Sequence, residues 1–143
     1  MALRITLCAT DLSPGSATAL KAADTEVRSH GGQLVVLFVM PDPAGAHPHM
    51  PVGSYADVPA LQKQALDALT AYVAEVLGDA GSNTDLRVEF GVAYTVIADQ
   101  AKALDAQLLV VGARGRSGLE RMLLGSVADQ VARSAPCSVL IVR

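Results

Sequence analysis

The sequence predicts an α/β fold: an open, doubly wound, Rossmann-like sheet of five parallel strands in the order 3-2-1-4-5, with helices on both faces. Three observations carry this expectation. Hydrophobic residues make up 51% of the chain but aromatics only 3%, with no Trp, so the interior is built from Ala, Val, Leu and Ile, as suits buried parallel strands under helices. The chain has 143 residues, which fits one domain over 1–143 and suffices for a real core. Short β-branched runs alternate with helical periodicities in the order βαβαβαβαβ, which implies right-handed crossovers and a parallel sheet.

The first strand is expected over Ile5 to Thr10, a short apolar run that ends in "TDLSPGS". Leu20, Ala23 and Val27 then recur at helical spacing, with Ser13 as N-cap, Pro14 as first helical residue, and His30 beside the stop "HGG". "QLVVLFV" from Gln33 to Val39 is the second strand. The Pro- and Gly-rich stretch from Pro41 to Asp57 has no periodicity and reads as a long surface loop, either a lid or partner surface or a plain variable insertion. From Leu61 to Leu77, apolar positions 61, 65, 66, 69, 72, 73 and 76 trace one helix face up to Gly78. A third strand follows at Leu86 to Phe90, then helical spacing through Val96, Ile97, Ala101 and Leu104, then a fourth strand at Leu108 to Val111. Ser126 to Ser134 reads as the last helix, with Ser126 and Asp129 spaced as a capping box, and Ser138 to Val142 as the fifth strand.

In the order 3-2-1-4-5, strands 1 and 4 are neighbours at the point where the winding reverses, and ligands bind there, outside the carboxyl ends of the strands. The two ends are "ATDLS", Ala9 to Ser13, and "VGARGRSG", Val111 to Gly118. The second opens the stretch "GARGRSGLERMLLGSV", Gly112 to Val127, which carries Gly112, Gly115, Gly118 and Gly125, three arginines, and a hydroxyl after the last glycine. Glycines let backbone N–H groups turn inward on a ligand, and such concavities bind anions. Ser126 opens a helix whose free N–H groups and dipole also favour phosphate, while Arg114, Arg116 and Arg121 add positive charge. Plain turn glycines and solvated arginines are the alternative reading. No glycine precedes a lysine, as a Walker loop requires, and the turn after the first strand holds only Gly15, too little for a dinucleotide fingerprint.

The pattern G-x2-G-x9-G-[ST] at Gly112, Gly115, Gly125 and Ser126, the "TDLS" turn, and the flanking "VVGARGRSGLERMLLGSVADQVARSAPCSVLIVR" closely resemble the universal stress protein family in its ATP-binding branch. The resemblance implies that the glycine pattern surrounds the ATP phosphates and ribose, that Asp11 lies near ribose and adenine, and that Val39 meets the adenine. The nucleotide-binding set so implied is Ala9, Thr10, Asp11, Val39, Gly112, Arg114, Gly115, Arg116, Ser117, Gly118, Gly125, Ser126 and Val127, with ATP as the ligand and Mg2+ left open. The bare chemistry agrees for two of these. Asp11 offers a carboxylate at a strand terminus, and Val39 an apolar contact for a purine face. Gln107 and Ala93 depart from the family's commoner Asp and Pro, at places expected to lie away from the ligand.

A net charge of -3 without any basic run argues against nucleic acid as the main partner. No apolar run approaches a membrane span, and "MALRITLCATD" is too short in apolar residues for a signal peptide, so a cytoplasmic location is expected. Cys8 and Cys137 read as inert, and His47 and His49 lack a third metal ligand nearby. The last strand is an apolar edge, which points to a homodimer through Ser138 to Val142, as the resemblance also implies. The expected function is an ATP-binding stress-response or signalling module. A slow ATPase or phosphoryl-transfer enzyme is the alternative, against which stand the missing P-loop lysine and a single evident carboxylate. A dimeric interaction protein that binds no nucleotide is a third reading.

Overall fold

A computed structural model describes residues 3–42, 58–114 and 124–143. The strands are β1 (Ile5–Thr10), β2 (Gln33–Met40), β3 (Asp85–Phe90), β4 (Leu108–Gly112) and β5 (Ser138–Val142). The helices are α1 (Pro14–His30), α2 (Val58–Leu77), α3 (Ala93–Ala103) and α4 (Ser126–Ser134), with a 3₁₀ turn over Gly78–Asn83. All strands pair in parallel, in the order β3-β2-β1-β4-β5. The sheet therefore has the predicted strand order.

Alternation along the strands divides the interior into two cores. Cys8, Leu34, Val36, Phe38 and Val110 face α1 and α2, where they meet Leu20, Leu69 and Val73. Leu7, Val35, Leu37, Leu109 and Val111 face α3 and α4, where they meet Ile97, Ala101 and Val131. The central strands are thus apolar on both sides, as parallel strands sandwiched between helices must be.

Local chemistry accounts for most element ends. The Ser13 side chain caps α1 by accepting from the Ser16 N–H at 3.3 Å, with Pro14 in the first turn and His30 in the last. Gly31 ends the helix at φ +78, and its N–H donates to the Val27 carbonyl. At the next residue, φ +104, the chain passes so close to β1 that a Cβ on Gly32 would stand 2.2 Å from the Arg4 carbonyl oxygen. Helix α2 starts at Val58 rather than Leu61, because Pro59 suits a first helical turn. Of its predicted apolar face, Ala65, Leu69 and Val73 are buried, whereas Leu66 is exposed. The segment 43–57, most of the predicted long loop with His47 and His49, lies outside the described residues.

Gln107 stands at the amino end of β4, opposite the carboxyl ends where a ligand is expected. Its side-chain oxygen accepts from the Ile5 N–H at 2.6 Å, while its own N–H donates to the Ile5 carbonyl at 3.0 Å. An acceptor is needed there, and the amide supplies it.

Candidate functional site

Three residues connect β1 to α1, and the Thr10 and Asp11 side chains hold a turn the backbone alone disfavours. Leu12 has φ +63, a left-handed conformation that costs a non-glycine residue on the order of 1 kcal/mol or more. Two bonds hold it: the Leu12 N–H donates to Thr10 Oγ1 at 3.0 Å, and the Ser13 N–H donates to Asp11 Oδ1 at 2.9 Å. The "TDLS" sequence is therefore a self-bonded turn that fixes Asp11 at the carboxyl end of β1.

Beside it, β4 ends at Gly112, paired with Val142. The Ala113 N–H donates to the Val142 carbonyl at 2.7 Å, and the Ala113 carbonyl accepts from the Gly125 N–H, also at 2.7 Å. The two feet of the glycine segment are thereby tied together, and Gly125 delivers the chain to α4. Gly115, Arg116, Ser117, Gly118 and Arg121 lie outside the described residues.

A Cβ on Gly112 would meet the Arg114 and Gly15 carbonyl oxygens only at 3.5 and 3.7 Å. Internal packing does not demand glycine at this position. The missing side chain instead leaves backbone open to a cleft of about 270 Å³, which Gly112 lines together with Arg114, Gly125 and Ser126. Thr10, Asp11 and Ser16 line it too, together with the apolar Val39, Ala93, Ile97, Val111, Val127 and Ala128. Such a mixed lining suits a flat apolar group joined to an anionic one. The start of α4, at Ser126, brings free N–H groups and a positive dipole end to the same lining.

Of the residues singled out from sequence, Ala9, Thr10, Asp11, Val39, Gly112, Arg114, Gly125, Ser126 and Val127 line this one cleft. Two expectations need correction. Gly125, not Ser126, is the N-cap of α4, and no side-chain capping bond is made. The predicted capping box therefore does not form, since Ser126 is the first helical residue and Asp129 falls one position beyond the third; Asp129 faces Arg133 at 3.4 Å instead. Ala93, expected away from the ligand, lines the cleft, because a helix that follows a parallel strand starts at the carboxyl end of the sheet.

Ser16, Ile97, Val111 and Ala128 also line the cleft and were missed. Val111 and Ala128 adjoin motif residues in sequence, but Ile97 shares its helical spacing with ordinary core positions, so nothing in the sequence marks it. Cys8 is fully buried, and burial pushes its thiol up to about 12. It stays a neutral, small apolar side chain at neutral pH. Burial also raises the Cys137 thiol.

The universal stress protein family model matches residues 3–143. The chain belongs to the universal stress protein family. Curated Staphylococcus relatives named for this family include one from Staphylococcus epidermidis, 41% identical over 71 residues, which is 48% of this chain and 43% of that protein. The match thus spans less than half the length of such relatives. Among solved structures, the universal stress protein UspA from Lactobacillus plantarum superposes with a TM-score of 0.77 at 26% identity, covering 100% of this chain and 99% of the other. A universal stress protein in complex with cAMP superposes at 0.72 with 24% identity, covering 100% and 99%. One from Archaeoglobus fulgidus in complex with dAMP superposes at 0.64 with 20% identity, covering 99% and 98%. The last two show a shared fold. This universal stress protein keeps the family's sheet, and among its described residues no helix is long and apolar enough to cross a membrane.

Proposed function

We propose that the cleft at the carboxyl ends of β1 and β4 binds one ATP per chain, and that the protein acts as a nucleotide-dependent stress-response or signalling module. The observation that carries this reading is a cleft lined both by apolar side chains, Val39 and Ile97 among them, and by Asp11, Gly112, Arg114 and Ser126. Adenine belongs against Val39, the ribose near Asp11, and the phosphates over Gly112, Gly125 and the start of α4. The cAMP and dAMP complexes of its fold neighbours support an adenine nucleotide in this family. Ser126 makes no capping bond, and its hydroxyl serves a phosphate oxygen. Mg2+, where it accompanies the nucleotide, is held by the phosphates with Asp11 as the carboxylate at hand.

The test is thermal unfolding with ATP, cAMP and AMP, paired with mass spectrometry of any nucleotide released when the purified protein is denatured. At a hundredfold excess over Kd, ATP stabilises by about 2.7 kcal/mol, a rise of roughly 5–10 °C for a chain of this size. A melting temperature indifferent to every adenine nucleotide, with nothing released, overturns the reading.

Oligomeric state is part of the same proposal. Strand β5 forms one edge of the sheet, and Val139 to Val142 along it are only partly covered. Pairing of two such edges about a twofold axis gives a homodimer. Light scattering at micromolar concentration then reads twice the 14.8 kDa chain mass, and a monomeric mass removes the dimer.

A further inference from the structure

Helix α2 has no residue in the cleft lining, yet one of its side chains reaches the turn that builds the cleft. Tyr72 lies on the core-facing stripe of α2, and its ring packs against the core shared with α1. A phenylalanine ring would keep that packing. The hydroxyl does something else: it donates to the Ser13 carbonyl at 2.9 Å and lies 2.9 Å from Ser16 Oγ. Ser16 is only 4% exposed. Its Oγ donates to the Ser13 carbonyl at 3.0 Å and stands 2.9 Å from Thr10 Oγ1, which in turn accepts the Leu12 N–H.

The three hydroxyls account for one another. Ser16 gives its proton to Ser13, Tyr72 gives its own to the same carbonyl or to Ser16 Oγ, and Thr10 donates to Ser16. Among the described residues no buried side-chain nitrogen or oxygen lacks a partner. Hydrogen bonds linked in this way in a partly buried setting reinforce one another. The turn they fix contains the positive-φ Leu12, and such a conformation persists only where its surroundings over-determine it. Thr10, Asp11 and Ser16 all line the cleft.

We infer that Tyr72 is a positioning residue: from α2, its hydroxyl holds the turn between Thr10 and Ser16 in the shape that receives the ligand. The ligand part of this inference rests on the nucleotide reading above.

The experiment compares Tyr72→Phe, which keeps the ring and removes the hydroxyl, with Val76→Ala on the same helix. Val76 packs against the same core and has no part in the hydroxyl network. In the nucleotide-free protein, Tyr72→Phe is expected to speed amide hydrogen exchange at Leu12, Ser13 and Ser16 by about two- to tenfold, and to weaken the calorimetric Kd for ATP by a similar factor. Val76→Ala is expected to leave both unchanged relative to wild type once exchange is corrected for global stability. Unaltered exchange in Tyr72→Phe overturns the positioning role whether or not a nucleotide binds. Faster exchange with an unaltered Kd overturns its bearing on the ligand. If wild type shows no ATP binding, the nucleotide reading has failed, and the exchange ratio alone decides whether Tyr72 holds the turn.

Discussion

Replacing Gly115 and Gly125 together with valine is expected to abolish the ATP-induced rise in melting temperature, while the nucleotide-free protein is expected still to unfold cooperatively. The geometry at Gly125 explains why fold and binding separate there. Gly125 has φ −59 and ψ 156, which any residue adopts, so a side chain brings no backbone strain. A valine in place of a glycine N-cap costs on the order of 1 kcal/mol at most. Gly125 does, however, line the cleft at the residue before α4, so a branched side chain there is expected to crowd the ligand. Gly115 is included because the family resemblance of the pattern G-x2-G-x9-G implies that it joins Gly125 at the proposed phosphate site. Differential scanning fluorimetry of the double variant, with and without ATP, reads both quantities. A full ATP response in that variant removes the glycine segment from the site.

Gly32→Ala is expected to destabilise the whole fold. Its φ of +104 disfavours any side chain, and the added carbon would stand 2.2 Å from the Arg4 carbonyl oxygen, a backbone atom that cannot swing aside. The Gln33 N–H donates to that same carbonyl at 2.8 Å, so relief of the clash pulls on the first rung between β1 and β2. Strain and overpacking together amount to about 2–4 kcal/mol. Urea denaturation measures it, and a loss below about 1 kcal/mol would show that the start of β1 yields easily. Gly31→Ala is the informative companion. It has a positive φ but nothing within 4 Å of its Cβ position, so it carries the strain without the clash.

These two glycines mark the reach of the sequence. "HGG" is legible as a helix stop because glycine favours the conformation that ends a helix. That the second glycine also lets two strands approach depends on Arg4, nearly thirty residues earlier, and no local pattern records it. The ends of β1 and β5 fall where the short, mostly apolar runs Ile5 to Thr10 and Ser138 to Val142 place them, since polar or turn residues bound each run. The start of α2 is less legible: apolar periodicity begins at Leu61, but the first turn, Val58 to Ala60, is exposed and its own periodicity carries no signal.

The candidate site divides in the same way. Asp11, Gly112, Gly125 and Ser126 were legible because strand order and glycine spacing both pointed to them, and the structure brings them into one cleft. The fine chemistry at Ser126 was misread, because Ser-x-x-Asp resembles a capping box while a glycine in fact occupies the cap. Ala93 was expected away from the ligand although the topology alone brings the start of α3 to the carboxyl end of the sheet, while Ile97 shares the spacing of ordinary core positions. Tyr72 could not have been found, since an aromatic residue on an apolar helical stripe reads as core whether or not its hydroxyl is used.

The central claim is that an adenine nucleotide occupies the cleft between β1 and β4. Titration of the ¹⁵N-labelled protein with ATP, followed in two-dimensional amide spectra, tests both binding and place. The predicted result is saturable shifts at the Asp11, Val39, Gly112, Gly125 and Ser126 amides, with the amino-end residues Leu34 and Gln107 unmoved. Spectra unchanged at millimolar ATP, or shifts confined to the amino end of the sheet, would contradict the claim.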